Sequence, residues 1–309
     1  MTKGHGNAVD FIDLHQDIAG AFSEPELAAQ TDFTQLTQGR TKCVIATGFT
    51  LPEESMPKVI ERDLAYYAAQ CGLDPSWKMV KTRAELSSVL LDPSSRGIIF
   101  HIEGFPDVVD WPTLERWHER GWRSAGLVWN GNNPLGGGTN SESGLTGLGR
   151  QFIEWCEERR ILIDLAHANK TMFADCLAIC KRPPFISHGG LQTIVQNIRN
   201  YSGSQLREVA DRDGILGIFV SKSAMAPDGV FTCERVVAHI TAAIGIMGED
   251  AVAIGSDFGG TMSGTPSDMR SVSHIGNLWD SLRISGYSIA TIEKIALRNA
   301  ERYLRDNLA

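Results

Sequence analysis

Eight short apolar runs recur along the chain, and their regular spacing restricts its fold more than any other feature. Each run is four to seven residues long, and most contain the β-branched residues that are typical of strands. The runs cover residues 8–14, 42–47, 97–102, 124–129, 161–166, 184–187, 214–220 and 251–256. Strands that alternate with longer amphipathic stretches form βα units, which place the strands side by side in a parallel sheet.

The stretches between these runs have apolar residues at intervals of three and four, which predicts helices. The clearest of them lie at residues 57–70, 148–159, 204–213, 234–247 and 289–297. Ser202 and Gln205 fit a capping box at the start of one helix. Eight strands with intervening helices in 309 residues favour a (β/α)8 barrel over a doubly wound sheet. Because no Pro/Gly/Ser-rich linker divides the chain, we predict one domain that spans residues 1–309.

The charge and the apolar content argue against two classes of partner. The formal net charge is -8 and Lys and Arg form no cluster, so a nucleic acid is not expected to bind. No apolar run approaches the roughly 20 residues that cross a bilayer, and the first ten residues lack the apolar segment of a secretory signal. The sequence therefore predicts a cytoplasmic protein without a membrane partner. Its six cysteines are scattered, which favours free thiols over a disulfide framework.

Side chains that bind metals follow several of the predicted strands. After the first run, His15 and Asp17 alternate onto the same side of an extended segment, and this pair is a common half-site for a first-row metal. Glu103 follows the third run, His167 follows the fifth and His188 follows the sixth. Taken singly, the HxD triplet also arises by chance and Glu103 also fits a solvated loop. Together, histidines and carboxylates at successive strand ends are typical of a metal site.

In a (β/α)8 barrel these strand ends all meet at one rim, so the side chains are expected to converge. Asp257, after the eighth run, adds a further carboxylate to the same rim. His101 lies among apolar residues, which favours a packed, hydrogen-bonded histidine over a ligand. The pattern predicts two divalent cations that share Glu103. Each cation is completed by one pair of side chains, His15 with Asp17 and His167 with His188.

Six short segments resemble those of the membrane (renal) dipeptidase family of the amidohydrolase superfamily. They read DLHQD, IEG, IDLAH, ISHG, IRN and GSDFGG, and the resemblance extends from Asp13 to the final predicted helices. It implies a (β/α)8 barrel that holds two zinc ions. The implied ligands are His15, Asp17, a bridging Glu103, His167 and His188.

The same resemblance implies roles for residues outside the metal site. Asp257 falls where the family has its catalytic carboxylate, and Arg199 falls where an arginine pairs with the free carboxylate of a dipeptide. Asn200, next to Arg199 in the IRN segment, is a further candidate for substrate binding. Relatives are often dimers, so a homodimer is also expected.

The chain departs from the family pattern at two positions. After the fourth strand the family usually has a histidine that helps to hold the scissile carbonyl, whereas this chain has Trp129. An indole offers a single N–H donor and cannot accept a proton, so Trp129 is expected either to pack against the substrate side chain or to fill the barrel mouth. Many members also read SDFDG where this chain has Gly259. Both changes affect the expected substrate range and leave the predicted ligands in place.

The resemblance and the predicted centre together favour a zinc dipeptidase. In that hypothesis a hydroxide that bridges the two metals attacks the amide carbonyl, and Asp257 acts as general base and then general acid. A second hypothesis keeps the metals but changes the substrate to an N-acyl amino acid, a lactam or a specialised metabolite intermediate. A third is a barrel that binds a metal or ligand without turnover. The glycine-rich stretch at residues 131–149 is either a loop that contacts substrate or a plain connector.

Overall fold

Parallel strands close into a barrel in the computed structural model of the chain, which describes residues 9–19, 24–50, 54–105 and 110–309. The strands of the described residues are β1 (Phe11–Gln16), β2 (Thr41–Phe49), β3 (Trp77–Met79), β4 (Arg96–Glu103), β5 (Trp122–Gly126), β6 (Leu162–Asp164), β7 (Phe185–Leu191), β8 (Asn200–Tyr201), β9 (Ile215–Ile218) and β10 (Val252–Ile254).

Eight of these strands form the barrel, in the order β1, β2, β4, β5, β6, β7, β9 and β10. The circle is closed where β10 pairs with β1, with Ile254 opposite Asp13. All the pairings are parallel. The first residues of the eight strands therefore lie at one end of the barrel, and their last residues lie at the other. The predicted (β/α)8 barrel is confirmed.

Two short strands outside the barrel circle were missed by the sequence analysis. β3 pairs with the first residues of β4, and β8 pairs with the end of β7. Segments of three and two residues are too short to show the alternation that identifies a strand. The predicted run at 124–129 is also displaced, because the fifth strand spans Trp122–Gly126 and Trp129 lies beyond its end.

Helices surround the barrel, and the five segments predicted from periodicity overlap five of them. They are α1 (Pro25–Ala28), α2 (Phe33–Gln38), α3 (Met56–Leu73), α4 (Arg83–Leu91), α5 (Trp111–Arg120), α6 (Gly147–Glu158), α7 (Lys170–Ile179), α8 (Gly203–Ala210), α9 (Lys222–Met225), α10 (Cys233–Met247), α11 (Gly276–Ile284), α12 (Ile289–Glu293) and α13 (Asn299–Asn307). Short 3-10 helices occupy Glu249–Ala251 and Val272–His274, and a π-helical turn at Lys294–Arg298 joins α12 to α13. The predicted capping box is present, since Gln205 N donates to Ser202 and the Gln205 side chain accepts from Ser202 N.

Apolar side chains fill the barrel at the end opposite the predicted metal ligands. Ile45, Ile99, Phe185 and Ile215 are fully buried there, and helix α13 packs against the same cluster. A packed interior of this kind leaves the carboxyl ends of the strands as the place for polar chemistry. All six cysteines are free thiols, as predicted. Within the described residues, no helix is both long enough and apolar enough to cross a bilayer.

Candidate metal centre

Four strands bring the five predicted ligands together at the carboxyl end of the barrel. His15 lies in β1 and Asp17 follows it, Glu103 is the last residue of β4, His167 follows β6 and His188 lies in β7. Their ligand atoms form overlapping sets in which every atom lies within 4.8 Å of the others. All five residues are buried.

Glu103 is at the middle of this group, and its two oxygen atoms face different histidines. Oε2 lies 3.3 Å from His15 Nε2, and Oε1 lies 2.8 Å from His167 Nε2 and 3.9 Å from His188 Nε2. Asp17 Oδ2 is 3.6 Å from His15 Nε2 and so belongs to the first side. The geometry thus divides the side chains into the two pairs that the sequence predicts, with one carboxylate between them.

These residues fit divalent cations, and two observations support this. Glu103 Oε1 is buried and accepts no hydrogen bond from the described residues, although it has two imidazoles beside it. His167 Nε2 and His188 Nε2 lie 3.1 Å apart, and two ring nitrogens that both direct lone pairs to one point are a typical arrangement for metal binding. Imidazole nitrogens combined with carboxylate oxygens are ligands that first-row divalent metals accept.

The electrostatics of the group also favour neutral imidazoles on the side of His167. Burial and the nearby Arg199 lower the pKa of His167 to about 4, and burial and the charge of His15 lower the pKa of His188 well below its usual value. Burial opposes the charge of Glu103, but His167 and His15 outweigh it and hold the pKa of Glu103 well below the normal range. A neutral histidine beside an ionised carboxylate is the protonation state that binds a metal.

A buried chain of hydrogen bonds orients His188, and the sequence analysis did not identify it. Ser187 Oγ donates to Asp164 Oδ2 and lies 2.8 Å from His188 Nδ1. Because the serine proton is directed to Asp164, the hydroxyl oxygen accepts from Nδ1 and leaves Nε2 free for a metal. The available signal was Asp164 itself, a carboxylate inside an otherwise apolar strand. His101 is packed as predicted, with Nδ1 2.9 Å from Ser124 Oγ, and burial lowers its pKa to about 3.

Asp257 lies beside this centre on the segment that follows β10. Its Oδ1 is 3.8 Å from His15 Nε2, and its backbone N donates to His15 O. Burial raises the pKa of Asp257 well above its usual value, and the charge of Asp17 raises it further. Asp257 has a φ of 64° and His167 a φ of 62°, a left-handed conformation that is rare for residues other than glycine and is found at functional sites.

The last two glycines of the GSDFGG segment allow the carboxylates to lie this close. A Cβ at Gly260 would overlap Asp17 Oδ2 and Asp257 Oδ1, and a Cβ at Gly259 would crowd Asp17 O. Gly259 also has a φ of 89°, which disfavours most side chains. Glycine at position 259 is therefore compatible with the backbone of this segment, although it removes the carboxylate that the family often has there.

A cavity of about 1060 Å³ opens from these residues to solvent, and it contains two of the three predicted substrate-binding residues. Arg199 lines it and lies with its Cζ 5.8 Å from the ring centre of Phe219. Trp129 lines it as well, with its ring centre 4.9 Å from that of Phe49. Asn200 is placed differently: it is buried outside the cavity wall, and its amide donates to two backbone carbonyls.

The sequence model of the membrane dipeptidase family, peptidase family M19, matches residues 7–308. The chain belongs to this family. An uncharacterized protein of the pqqA 5′ region of Klebsiella pneumoniae is 31% identical over 205 residues, which cover 62% of this chain and 75% of that protein.

Solved structures agree with the membrane dipeptidase fold. The dipeptidase AC, a metallopeptidase of family M19, superposes with a TM-score of 0.88 at 22% identity, covering 97% of this chain and 99% of the other. A metallopeptidase from Rhodobacter sphaeroides, solved with a phosphinate mimic of the dipeptide L-Ala-D-Ala, gives a TM-score of 0.88 at 20% identity, covering 98% and 100%. As a membrane dipeptidase family member with this fold, the protein is a metal-dependent hydrolase.

Proposed function

We propose that the protein is a dinuclear zinc dipeptidase. The observation that supports this proposal is that the predicted metal ligands lie between Arg199 and a group of carboxylates that line the same cavity. Arg199 lies on one wall, and a group of carboxylates lies on the other. A dipeptide carries a carboxylate at one end, an ammonium at the other and the scissile bond between them.

The order of the strands separates these walls across the barrel. Arg199 follows β7, whereas Arg62 and Asp63 lie on α3, which follows β2. β2 and β7 are four strands apart in either direction around the barrel, so they are opposite one another. The same cavity is lined by Glu24 and Glu26, which follow the neighbouring strand β1. Arg62 Nε donates a hydrogen bond to Asp63 Oδ1.

The cation centre would be formed by His15 and Asp17 on one side, His167 and His188 on the other, and Glu103 between them. When bound, zinc ions polarise a carbonyl oxygen and lower the pKa of a water molecule to roughly 7. The imidazoles and Glu103 would hold the cations beside the cavity, which Glu103 and His167 line.

Asp257 is the proton carrier in this proposal. As water adds to the carbonyl carbon, the carboxylate takes one proton, and it returns that proton to the amine nitrogen when the C–N bond breaks. The second proton of the water stays on the new carboxylic acid and passes to the amine at neutral pH, so the products are a carboxylate and an ammonium group. The position of Asp257 is fixed by the hydrogen bond from its backbone N to His15 O, and Gly260 leaves room for the carboxylates of Asp257 and Asp17.

Arg199 and Trp129 are proposed to select the substrate. A guanidinium binds a carboxylate through two parallel hydrogen bonds, so Arg199 suits the C-terminal carboxylate of a dipeptide. Trp129 presents an apolar ring to the same cavity and is proposed to pack against the side chain of a substrate residue. Asn200 is proposed to hold the segment that carries Arg199, since its amide binds Val195 O and Ala224 O.

The carboxylates opposite Arg199 favour a dipeptide over the second hypothesis. An N-acyl amino acid or a lactam has no ammonium group, and it would bring an uncharged group towards Glu24 and Glu26. A free α-amino group carries a positive charge at neutral pH and is attracted to such a wall.

The proposal is tested with zinc-loaded protein and matched pairs of substrates. Free dipeptides such as L-Ala-L-Ala and L-Ala-D-Ala are expected to be cleaved, whereas N-acetyl-alanine is expected to be a poor substrate. Release of free alanine, measured by chromatography, gives the rates. Cleavage of the acetylated amide with no cleavage of any dipeptide would favour the second hypothesis. Zinc binding without hydrolysis of either would leave only the third.

Replacing Arg199 with methionine is expected to raise KM for a free dipeptide about 10- to 100-fold, because a charge-assisted hydrogen-bonded pair contributes roughly 1.5–3 kcal/mol. The same change is expected to leave KM nearly unchanged for a dipeptide amide, which lacks the terminal charge. Steady-state kinetics on both substrates measure the difference. Arg235→Met, on the exposed face of α10, is the matched control. An equal effect on both substrates would show that Arg199 does not bind the terminal carboxylate.

A further inference from the structure

The glycine-rich stretch after β5 has a defined structure between Trp129 and Asn140. Thr139 N donates to Trp129 O over 3.2 Å, and Asn140 N donates to Asn130 O over 2.7 Å. An antiparallel bridge joins residues 132 and 137 within the same turn. We call residues 129–140 the β5 loop. Its backbone pairs with itself, so this part of the stretch is neither a plain connector nor an open lid.

The β5 loop is also attached to the segment that follows β6. Gly138 forms an antiparallel bridge with Ala168, and Asn169 Nδ2 donates to Gly137 O over 3.0 Å. A Cβ at Gly138 would overlap Trp129 O, and a Cβ at Gly137 would lie against Asn169 Nδ2. The glycines are therefore required by the close approach of backbones. They fix the loop against residues 168–169, which directly follow His167.

Two side chains of the β5 loop bind His167 from different directions. Asn130 Oδ1 lies 3.1 Å from His167 Nδ1, and Thr139 Oγ1 donates to His167 O over 3.0 Å. An amide oxygen only accepts, so Nδ1 carries the ring proton and Nε2 keeps its lone pair. That lone pair faces Glu103 and His188. The second contact holds the backbone carbonyl of a residue whose φ is 62°.

We propose that the β5 loop is a positioning element for His167, in which Asn130 fixes the ring and Thr139 fixes the left-handed backbone. This inference rests on the proposed function only in assuming a cation at His167. Partners of this kind orient a metal-bound histidine, set its tautomer and change metal affinity when they are removed. Trp129 packs beside the same ring, with its ring centre 6.2 Å from that of His167, so the loop contacts His167 at three places.

The test is the affinity of the purified full-length protein for Zn²⁺ alone, measured by competition with a chromophoric chelator. Asn130→Ala is expected to weaken binding of one of the two ions roughly 10- to 100-fold. Asn130→Asp keeps an acceptor oxygen and is expected to retain affinity within about threefold of the wild type. Thr139→Val is expected to weaken the same ion, and Thr139→Ser, which keeps the hydroxyl, to restore it.

Ser141→Ala is the matched control, because Ser141 lies in the same glycine-rich stretch and its hydroxyl accepts from Ser143 N. It is expected to leave Zn²⁺ affinity unchanged. Thermal unfolding of the metal-free variants separates loss of folding from loss of the ion. Unchanged affinity in folded Asn130→Ala and Thr139→Val, or weakened affinity in Asn130→Asp, would overturn the proposal. A wild-type protein that does not bind Zn²⁺ would overturn both this proposal and the proposed function.

The same measurements distinguish the loop from the catalytic proposal. A protein that binds Zn²⁺ as described but cleaves no dipeptide refutes the dipeptidase function and supports the role of the loop. A protein that cleaves dipeptides, with affinity insensitive to Asn130 and Thr139, refutes the loop alone.

Discussion

Replacing Asp257 with asparagine is expected to lower kcat for a dipeptide by roughly 10²- to 10⁴-fold, the usual contribution of a general acid–base group. An amide has nearly the shape of the carboxylate but cannot take up the proton of the attacking water. Asparagine also tolerates a φ of 64° better than most residues, so the backbone after β10 is expected to keep its course. Metal content is expected to stay near that of the wild type, because the predicted ligands are other residues.

The experiment compares kcat at saturating dipeptide with the number of zinc ions per chain, measured by atomic emission. Asp228→Asn, on the exposed turn after α9, is the matched control and is expected to change neither value. A variant at Asp257 that retains kcat within about threefold would remove this residue from proton transfer. A variant that loses both activity and metal would instead assign Asp257 to the metal site. This outcome is worth measuring because Asp257 Oδ1 lies 3.8 Å from His15 Nε2.

The barrel and the clustering of the predicted metal ligands at one rim were predictable from sequence for one physical reason. Strand order was not needed, because all parallel strands of a barrel end at the same rim. A residue such as Glu103 or His167 could therefore be assigned to the rim from its position after an apolar run. The structure places these side chains within contact distance of one another.

The contacts that support the centre could not be predicted in this way. Asn130 and Thr139 reach His167 only because the β5 loop folds back on itself, and no local pattern reports which carbonyl a threonine will bind. The opposition of Arg199 and Asp63 depends on the circular order of the strands, which a single sequence does not give. Asn200 was predicted from its position beside Arg199, and the sequence could not show that its amide donates to the backbone carbonyls of Val195 and Ala224.

The two departures from the family pattern differ in their structural consequences. Gly259 has a positive φ and lies against Asp17 O, so the backbone there accepts glycine. Trp129 lies in the cavity between Phe49 and His167 and changes the chemistry of the wall from a proton acceptor to an apolar surface. A dipeptidase with this wall is expected to rely on its cations and Asp257 for catalysis and to use position 129 for binding.

Replacing Glu103 with glutamine is expected to reduce the bound zinc from two ions towards one per chain and to lower kcat about 10³-fold or more. The two carboxylate oxygens face different histidines, and glutamine replaces one of these oxygens with an N–H donor. The ion beside the amide nitrogen loses a ligand atom. It also loses its half of the negative charge that the carboxylate shares between the two ions. A metal ion stabilises the transition state by several kcal/mol, and each 1.36 kcal/mol corresponds to a tenfold change in rate.

The readouts are zinc per chain after equilibration with a weak chelator, and kcat at saturating zinc. Glu142→Gln, an exposed residue of the glycine-rich stretch, is the matched control. Thermal unfolding without metal shows whether the variant folds, which matters because Glu103 is buried among three imidazoles. If the folded Glu103→Gln variant still held two zinc ions as tightly as the wild type, the carboxylate would not be shared. The two pairs of remaining ligands, His15 with Asp17 and His167 with His188, would then need another group to bridge their ions. Within the described residues, Asp257 is the remaining carboxylate that contacts His15 Nε2.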